Sequence, residues 1–159
     1  MSAITVYTDG AALGNPGKAG YGIVMQYGKH QKEISEAYNH STNNRMELLA
    51  VIVAMESIKN KDILVNIYTD SKYVCDAVNK NWILGWQKKA WKNVKNIDLW
   101  KRFLIVHAQH KTQFFWVKGH AGNVLNERCD FLATQAAKTG PWLRDTVYEN
   151  EQSNNNRLI

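Results

Sequence analysis

Residues 4–10 read Ile-Thr-Val-Tyr-Thr-Asp-Gly, and residues 63–71 read Ile-Leu-Val-Asn-Ile-Tyr-Thr-Asp-Ser. Both are runs of β-branched and aromatic residues stopped by Thr-Asp and a small residue, which predicts strands over Ile4–Thr8 and Ile63–Thr69. A period of two puts Thr5, Tyr7 and Asp9 on one face of the first strand and Asn66, Tyr68 and Asp70 on one face of the second. Ile4/Val6 and Ile63/Val65/Ile67 point the other way. If the two strands are parallel neighbours, Asp9 and Asp70 project side by side beyond their carboxyl ends, where open sheets form their sites. Carboxylates that close repel each other, and one is driven towards protonation unless a cation lies between them. The alternative is that each aspartate only serves a turn after its strand.

Outward from these strands, Tyr21–Tyr27 and Lys32–Tyr38 predict two more, completing an antiparallel meander with the first. The segment between Gly14 and Gly20 is dense in turn residues. Polar Thr42-Asn43-Asn44 offers helix caps before Met46–Met55, a run apolar nearly all round except at Glu47. Ser71–Val78 predicts a helix, and Asp98 a cap for another running to about Gln109. Thr112–Val117 predicts a fifth strand, and Asn126 a cap for a last helix through Lys138. This order, β-β-β-α-β-α-α-β-α, points to an α/β fold with one mixed sheet and helices on its faces. A single domain over residues 1–147 is expected, followed by a polar, flexible tail over 148–159.

A length of 159 residues suits one domain with a core that needs no metal or disulfide to hold it. With 45% hydrophobic and 21% charged residues, a disordered or collagen-like chain is excluded. The net charge of +6 favours an anionic partner such as nucleic acid. Cys75 and Cys129 stand far apart, suggesting neither a zinc ribbon nor a disulfide partner. No basic leader followed by an apolar stretch opens the chain and no run of about 18 apolar residues occurs in it, so a soluble, cytoplasmic protein with no membrane partner is expected.

Three more positions carry chemistry. Glu47 is the one ionisable residue in its apolar run, and a carboxylate near a core is costly unless paired, hydrogen-bonded or on a metal. It also has capping-box spacing from Asn44. Asp130, in the first turns of the last helix, either joins the acids or only complements the helix dipole. His120 lies in the loop Gly119-His120-Ala121-Gly122, where a mobile imidazole suits a proton shuttle and a solvated histidine is the plainer reading. From Lys80 to Lys95, lysines 80, 88, 89, 92 and 95 interleave with Trp82, Trp86 and Trp91. That pattern suits backbone neutralisation and packing against sugars, or an amphipathic helix with buried tryptophans.

Thr8-Asp9-Gly10 with Gly14-Asn15-Pro16-Gly17, Thr42-Asn43-Asn44-Arg45-Met46-Glu47-Leu48, Thr69-Asp70-Ser71, Trp116-Val117-Lys118-Gly119-His120-Ala121-Gly122 and Asn126-Glu127-Arg128-Cys129-Asp130 follow in order. Together they resemble the bacterial type I ribonuclease H family from about residue 3 to about residue 147. The resemblance implies a five-stranded mixed sheet, three strands antiparallel and two parallel, flanked by helices. It also implies a metal-dependent endonuclease that hydrolyses the RNA strand of RNA–DNA hybrids with Mg²⁺, leaving 5′-phosphate and 3′-hydroxyl ends. The catalytic and metal-binding acids would be Asp9, Glu47, Asp70 and Asp130, with His120 aiding proton transfer. Two ions would act during catalysis, Mn²⁺ able to replace Mg²⁺, with Asp9 bridging them.

By the same resemblance, Asn15, Asn43 and Asn44 line the groove that reads the 2′-hydroxyl, and Thr42 and Asn96 hold a phosphate of the DNA strand. Trp82, Lys88, Lys89, Trp91 and Lys92 form a basic protrusion, shorter than in the best-known bacterial members. His40 stands where several members have an arginine of the phosphate pocket. The family default is a monomer. Two other readings stay open: a non-catalytic hybrid-binding module, and another enzyme of the same fold such as a transposase or junction resolvase.

Overall fold

The strand expected at Ile4–Thr8 runs on to Leu13 as β1 (Ile4–Leu13), hydrogen-bonded antiparallel to β2 (Gly17–Tyr27), which pairs with β3 (His30–Ser41) in the same sense. Gly28, at φ 58°, turns the hairpin between β2 and β3. β4 (Leu64–Thr69) lies parallel to β1, with Tyr7 beside Tyr68 and Thr8 beside Thr69. The two Thr-Asp steps therefore end at one level, as the repeated sequence pattern predicts. β5 (Lys111–Trp116) adds in parallel outside β4. These coordinates are a computed structural model, which describes residues 3–157.

The sheet has six strands, in the order β5-β4-β1-β2-β3-β6, where five were expected. β6 is only Trp142–Leu143, parallel to β3, and two residues are too few to show an alternating pattern. Trp142 is held by its indole N–H, which donates to the Ala137 carbonyl at 2.9 Å, and by the Lys18 ammonium 4.0 Å from its ring.

Helix α1 (Asn43–Glu56) crosses one face of the sheet, and Met46, Leu48, Leu49 and Ala50 are among its buried residues. Its cap is Thr42, whose hydroxyl accepts from the Arg45 amide at 3.2 Å. α2 (Lys72–Asn79), α3 (Trp82–Lys88) and α4 (Ile97–His107) follow. Trp100 and Phe103 of α4 are fully buried, their rings 5.4 Å apart edge to face. α5 (Val124–Thr139) covers the opposite face. Its cap is Asn123 and not Asn126: the Asn123 side-chain oxygen Oδ1 accepts from the Asn126 amide at 3.0 Å, and Asn126 is buried one turn in. Asp98 likewise does not cap α4, whose cap position is Asn96 at φ 62°; the Asp98 carboxylate faces Arg45 instead.

The segment expected as a flexible tail is helical, α6 (Thr146–Arg157), with residues 158–159 outside the described part. Its start is fixed by Asp145, which is buried and takes two hydrogen bonds from Arg45 and one from Ser41 at 2.6–2.9 Å. Arg45, 2% exposed, also forks onto Asp98 at 2.8 and 2.9 Å. One guanidinium thus ties α1, α4 and the root of α6 together. No helix among the described residues is long and apolar enough to cross a membrane, and Cys75 and Cys129 are both buried and unpaired.

Candidate active site

Two close backbone approaches assemble the site. A Cβ on Gly10 would lie 2.5 Å from the Glu47 amide nitrogen, so β1 can press against α1 only where it lacks a side chain. A Cβ on Gly22, the partner of Asp9 in the sheet, would lie 2.4 Å from the Cys129 carbonyl oxygen. α5 therefore rests directly on the backbone of β2. The Cys129 thiol donates to the Tyr7 carbonyl at 3.1 Å, securing α5 beside the strand that carries Asp9.

Asp9, Glu47 and Asp70 come together as the sequence expected, each offering an oxygen within 4.8 Å of the others. The capping-box alternative for Glu47 is excluded by register. With Thr42 as the cap, the reciprocal position falls on Arg45, and Glu47 faces Ser71 after β4 instead, whose hydroxyl pulls its pKa down against burial. Ser71 is a contributor the sequence reading missed. It caps α2 by accepting from Val74, and only the three-dimensional pairing of β4 with β1 brings it to Glu47. Asp130 is not one of the three, but its charge reaches both Asp9 and Asp70.

The electrostatics are those of crowded, buried acids. Burial first, and then the charge of Asp70, push the Asp9 carboxyl up to about 9. Glu47 is pushed up to about 7, again chiefly by burial. Asp70 is raised by burial and by Asp130, while a hydrogen bond to Asp9 and the charge of His120 pull it down. Such a cluster is unfavourable as a set of anions and favourable around a cation, and its all-oxygen donors suit a hard divalent ion. The residues present fit a metal.

His120 lies in the loop after β5 in a left-handed conformation, φ 55°, within electrostatic reach of Asp70. The Trp116 indole N–H donates to the Asp70 carbonyl oxygen at 3.0 Å, tying that loop's root to the site.

The expected substrate residues fall into two groups. Asn15 accepts from the Asn43 amide at 3.1 Å, and Asn15, Thr42, Asn44 and Asn96 line one cleft of about 700 Å³. Asn96 donates to the Tyr73 hydroxyl at 3.1 Å and accepts from Arg45 at 3.4 Å. His40 stacks at a tilt on Tyr148, 5.5 Å between rings. The second group is on α3 and the loop after it, where Lys88, Lys89 and Lys92 are exposed. Trp82 is 41% exposed with the Lys80 ammonium 5.7 Å from its ring, whereas Trp91 is half buried against the core.

The RNase H family model matches residues 1–138. The ribonuclease H of Lachnoclostridium phytofermentans is 50% identical over 157 residues, covering 92% of this chain and 99% of that one. Among solved structures, LC9-RNase H1, described as a type 1 RNase H with the type 2 active-site motif, superposes with a TM-score of 0.78 at 30% identity over 87% of this chain and 74% of its own. LC11-RNase H1 in complex with an RNA/DNA hybrid shares the fold, with a TM-score of 0.65 at 24% identity over 85% of this chain and 96% of its own. Sequence, fold and the gathered carboxylates agree, and the chain belongs to the RNase H family.

Proposed function

We propose that this chain, a nuclease of the RNase H family that cleaves the RNA strand of RNA–DNA hybrids, does so at Asp9, Glu47, Asp70 and Asp130 with two Mg²⁺ ions, Mn²⁺ able to replace them. The observation that carries the assignment is the meeting of three carboxylates within 4.8 Å, Asp9 in the middle of β1, Glu47 near the start of α1 and Asp70 just past β4. When bound there, the ions supply Lewis acidity: they lower the pKa of an attacking water and stabilise charge on the leaving 3′ oxygen. Asp9, 5% exposed and facing the charges of Asp70, Asp130 and Glu47, would be the ligand the ions share. Asp70 and Asp130 would serve an ion on the nucleophile side and Glu47 one on the leaving side. His120, in its glycine-flanked loop beside Asp70, moves the proton, and the products carry 5′-phosphate and 3′-hydroxyl ends.

Asn15, Asn43 and Asn44 offer amides that donate to and accept from a 2′-hydroxyl, the group that marks the RNA strand. Thr42 and Asn96 take a phosphate of the DNA strand. The reaction is performed by a single domain acting as a cytoplasmic monomer. The test is a labelled hybrid, an RNA duplex and a DNA duplex, each with Mg²⁺ and with EDTA. Cutting of the hybrid's RNA strand alone, abolished by EDTA, is expected; binding without cutting would leave a hybrid-binding module.

Trp82, Lys88, Lys89, Trp91 and Lys92 form the second contact with the hybrid backbone. Each phosphate neutralised releases counterions and steepens the salt dependence of binding by about 0.9 in log–log slope. Replacing Lys88, Lys89 and Lys92 together by alanine is expected to raise KM and to flatten that slope by up to about 3 units. Measuring KM from low to moderate salt checks it, and an unchanged slope removes the three lysines from the interface.

A further inference from the structure

The cleft of about 700 Å³ has two walls. One is the wall already assigned, with Asn15, Thr42, Asn44, Lys95 and Asn96. The other is α6, which contributes Glu151, Gln152, Asn154 and Asn155. This second wall lies wholly beyond residue 138, where the family match ends. We propose that α6 is part of the substrate site, with Gln152, Asn154 and Asn155 forming the second wall of a slot that takes the phosphate–sugar backbone of the uncleaved strand. The inference rests on the hybrid-cleaving function proposed above.

Three observations carry it. The first is chemistry. Each side-chain amide offers two donors and one acceptor, which suits phosphate and sugar oxygens without regard to base sequence. Together with Lys95 and the Thr42 hydroxyl, these amides give the slot donors on both sides. The second is how α6 is held. Ser153, Asn154 and Asn155 are exposed, and the helix is anchored through its first turn. There the Glu149 amide donates to the Asp145 carbonyl at 2.9 Å, and the Tyr148 ring lies 5.5 Å from His40 and 5.9 Å from the Arg45 guanidinium. The asparagine run at residues 154–156 is a poor helix former, and Asn154 and Asn155 are exposed, so packing does not account for these two.

The third is a shared anchor. Arg45 bonds Asn96 of the first wall at 3.4 Å and Asp145 at the root of the second at 2.7 and 2.9 Å. The spacing of the walls is thereby set by one buried side chain. Glu151 is the one acid lining the slot among its described residues, and its carboxylate opposes a phosphate.

Steady-state cleavage of a labelled hybrid with Mg²⁺ tests the proposal with two variants of the full chain. The triple replacement Gln152→Ala, Asn154→Ala, Asn155→Ala is expected to raise KM about tenfold at unchanged kcat, and Glu151→Gln to lower KM about twofold to threefold. Because these side chains lie on the surface, thermal melting of both variants should match the parent. An unchanged KM in both variants means that α6 makes no contact. A lower KM for the triple variant means that α6 screens the slot, and a loss carried by kcat means that it acts elsewhere; each result overturns the proposal. Failure of the parent chain to cut the hybrid at all would instead overturn the function on which it rests.

Discussion

Asp9→Asn is expected to abolish cleavage while making the metal-free protein more stable. The loss of turnover should be about 10³-fold or more, as for one member of a set of groups that act as a unit. The gain in stability follows from the buried acids. In the folded chain Asp9 titrates at about 9, against 3.8 for an ordinary aspartate. Between those pH values the folded state keeps a proton that the unfolded state has lost, so the metal-free protein loses stability as pH rises through that window. Glu47, raised from 4.5 to about 7, adds to the same trend over a narrower range. Asparagine cannot ionise, so it removes the Asp9 contribution. The variant should melt several degrees above the parent at about pH 8, and the two should converge below about pH 4. Melts in EDTA at both pH values check this. Equal Tm values at pH 8 would mean that ionising Asp9 costs the folded chain nothing.

Arg45→Ala should be the most damaging substitution away from the acids. It leaves Asp145, 8% exposed, and half-buried Asp98 without their partner, and removing one side of a buried ion pair typically costs about 3–5 kcal/mol. At roughly 2–4 °C per kcal/mol for a chain of this size, Tm should fall by about 10 °C or more. Arg45→Met, which fills the space without the charge, should recover little, because the loss lies in the stranded carboxylates. A double replacement, Arg45→Met with Asp145→Asn, should recover part of it. Thermal melting of the three variants separates the ionic contribution from the packing one.

The site was legible because its acids sit in local patterns that a sequence marks clearly, although β1 runs past Asp9 to Leu13. Two Thr-Asp steps after alternating strands, and one glutamate in an apolar helix, predict positions on a sheet edge before any coordinates exist. Arg45 gave no such signal. It stands beside Glu47 in the same motif, yet its partners Asp98 and Asp145 lie 53 and 100 residues away, and no local pattern reports a pairing at that range. Caps were misplaced for a related reason. Asn123 and Asn126 are equally good caps by residue type, and the choice between them depends on where α5 meets the sheet. The polar tail read as unstructured because its composition lacks an apolar stripe. Its helix is anchored instead by contacts of Asp145 and Tyr148 with distant residues.

Gly22 carries a wider consequence. Where helix and sheet meet through side chains, a lost or gained methyl group is absorbed by neighbouring rotamers. Here the Cys129 carbonyl abuts bare main chain, and nothing stands between them to yield. The placement of Asp130 relative to Asp9 is therefore set by a missing atom on a strand that carries no acid. An alanine at that position would leave every charged group of the centre intact and still lift one of them out of alignment.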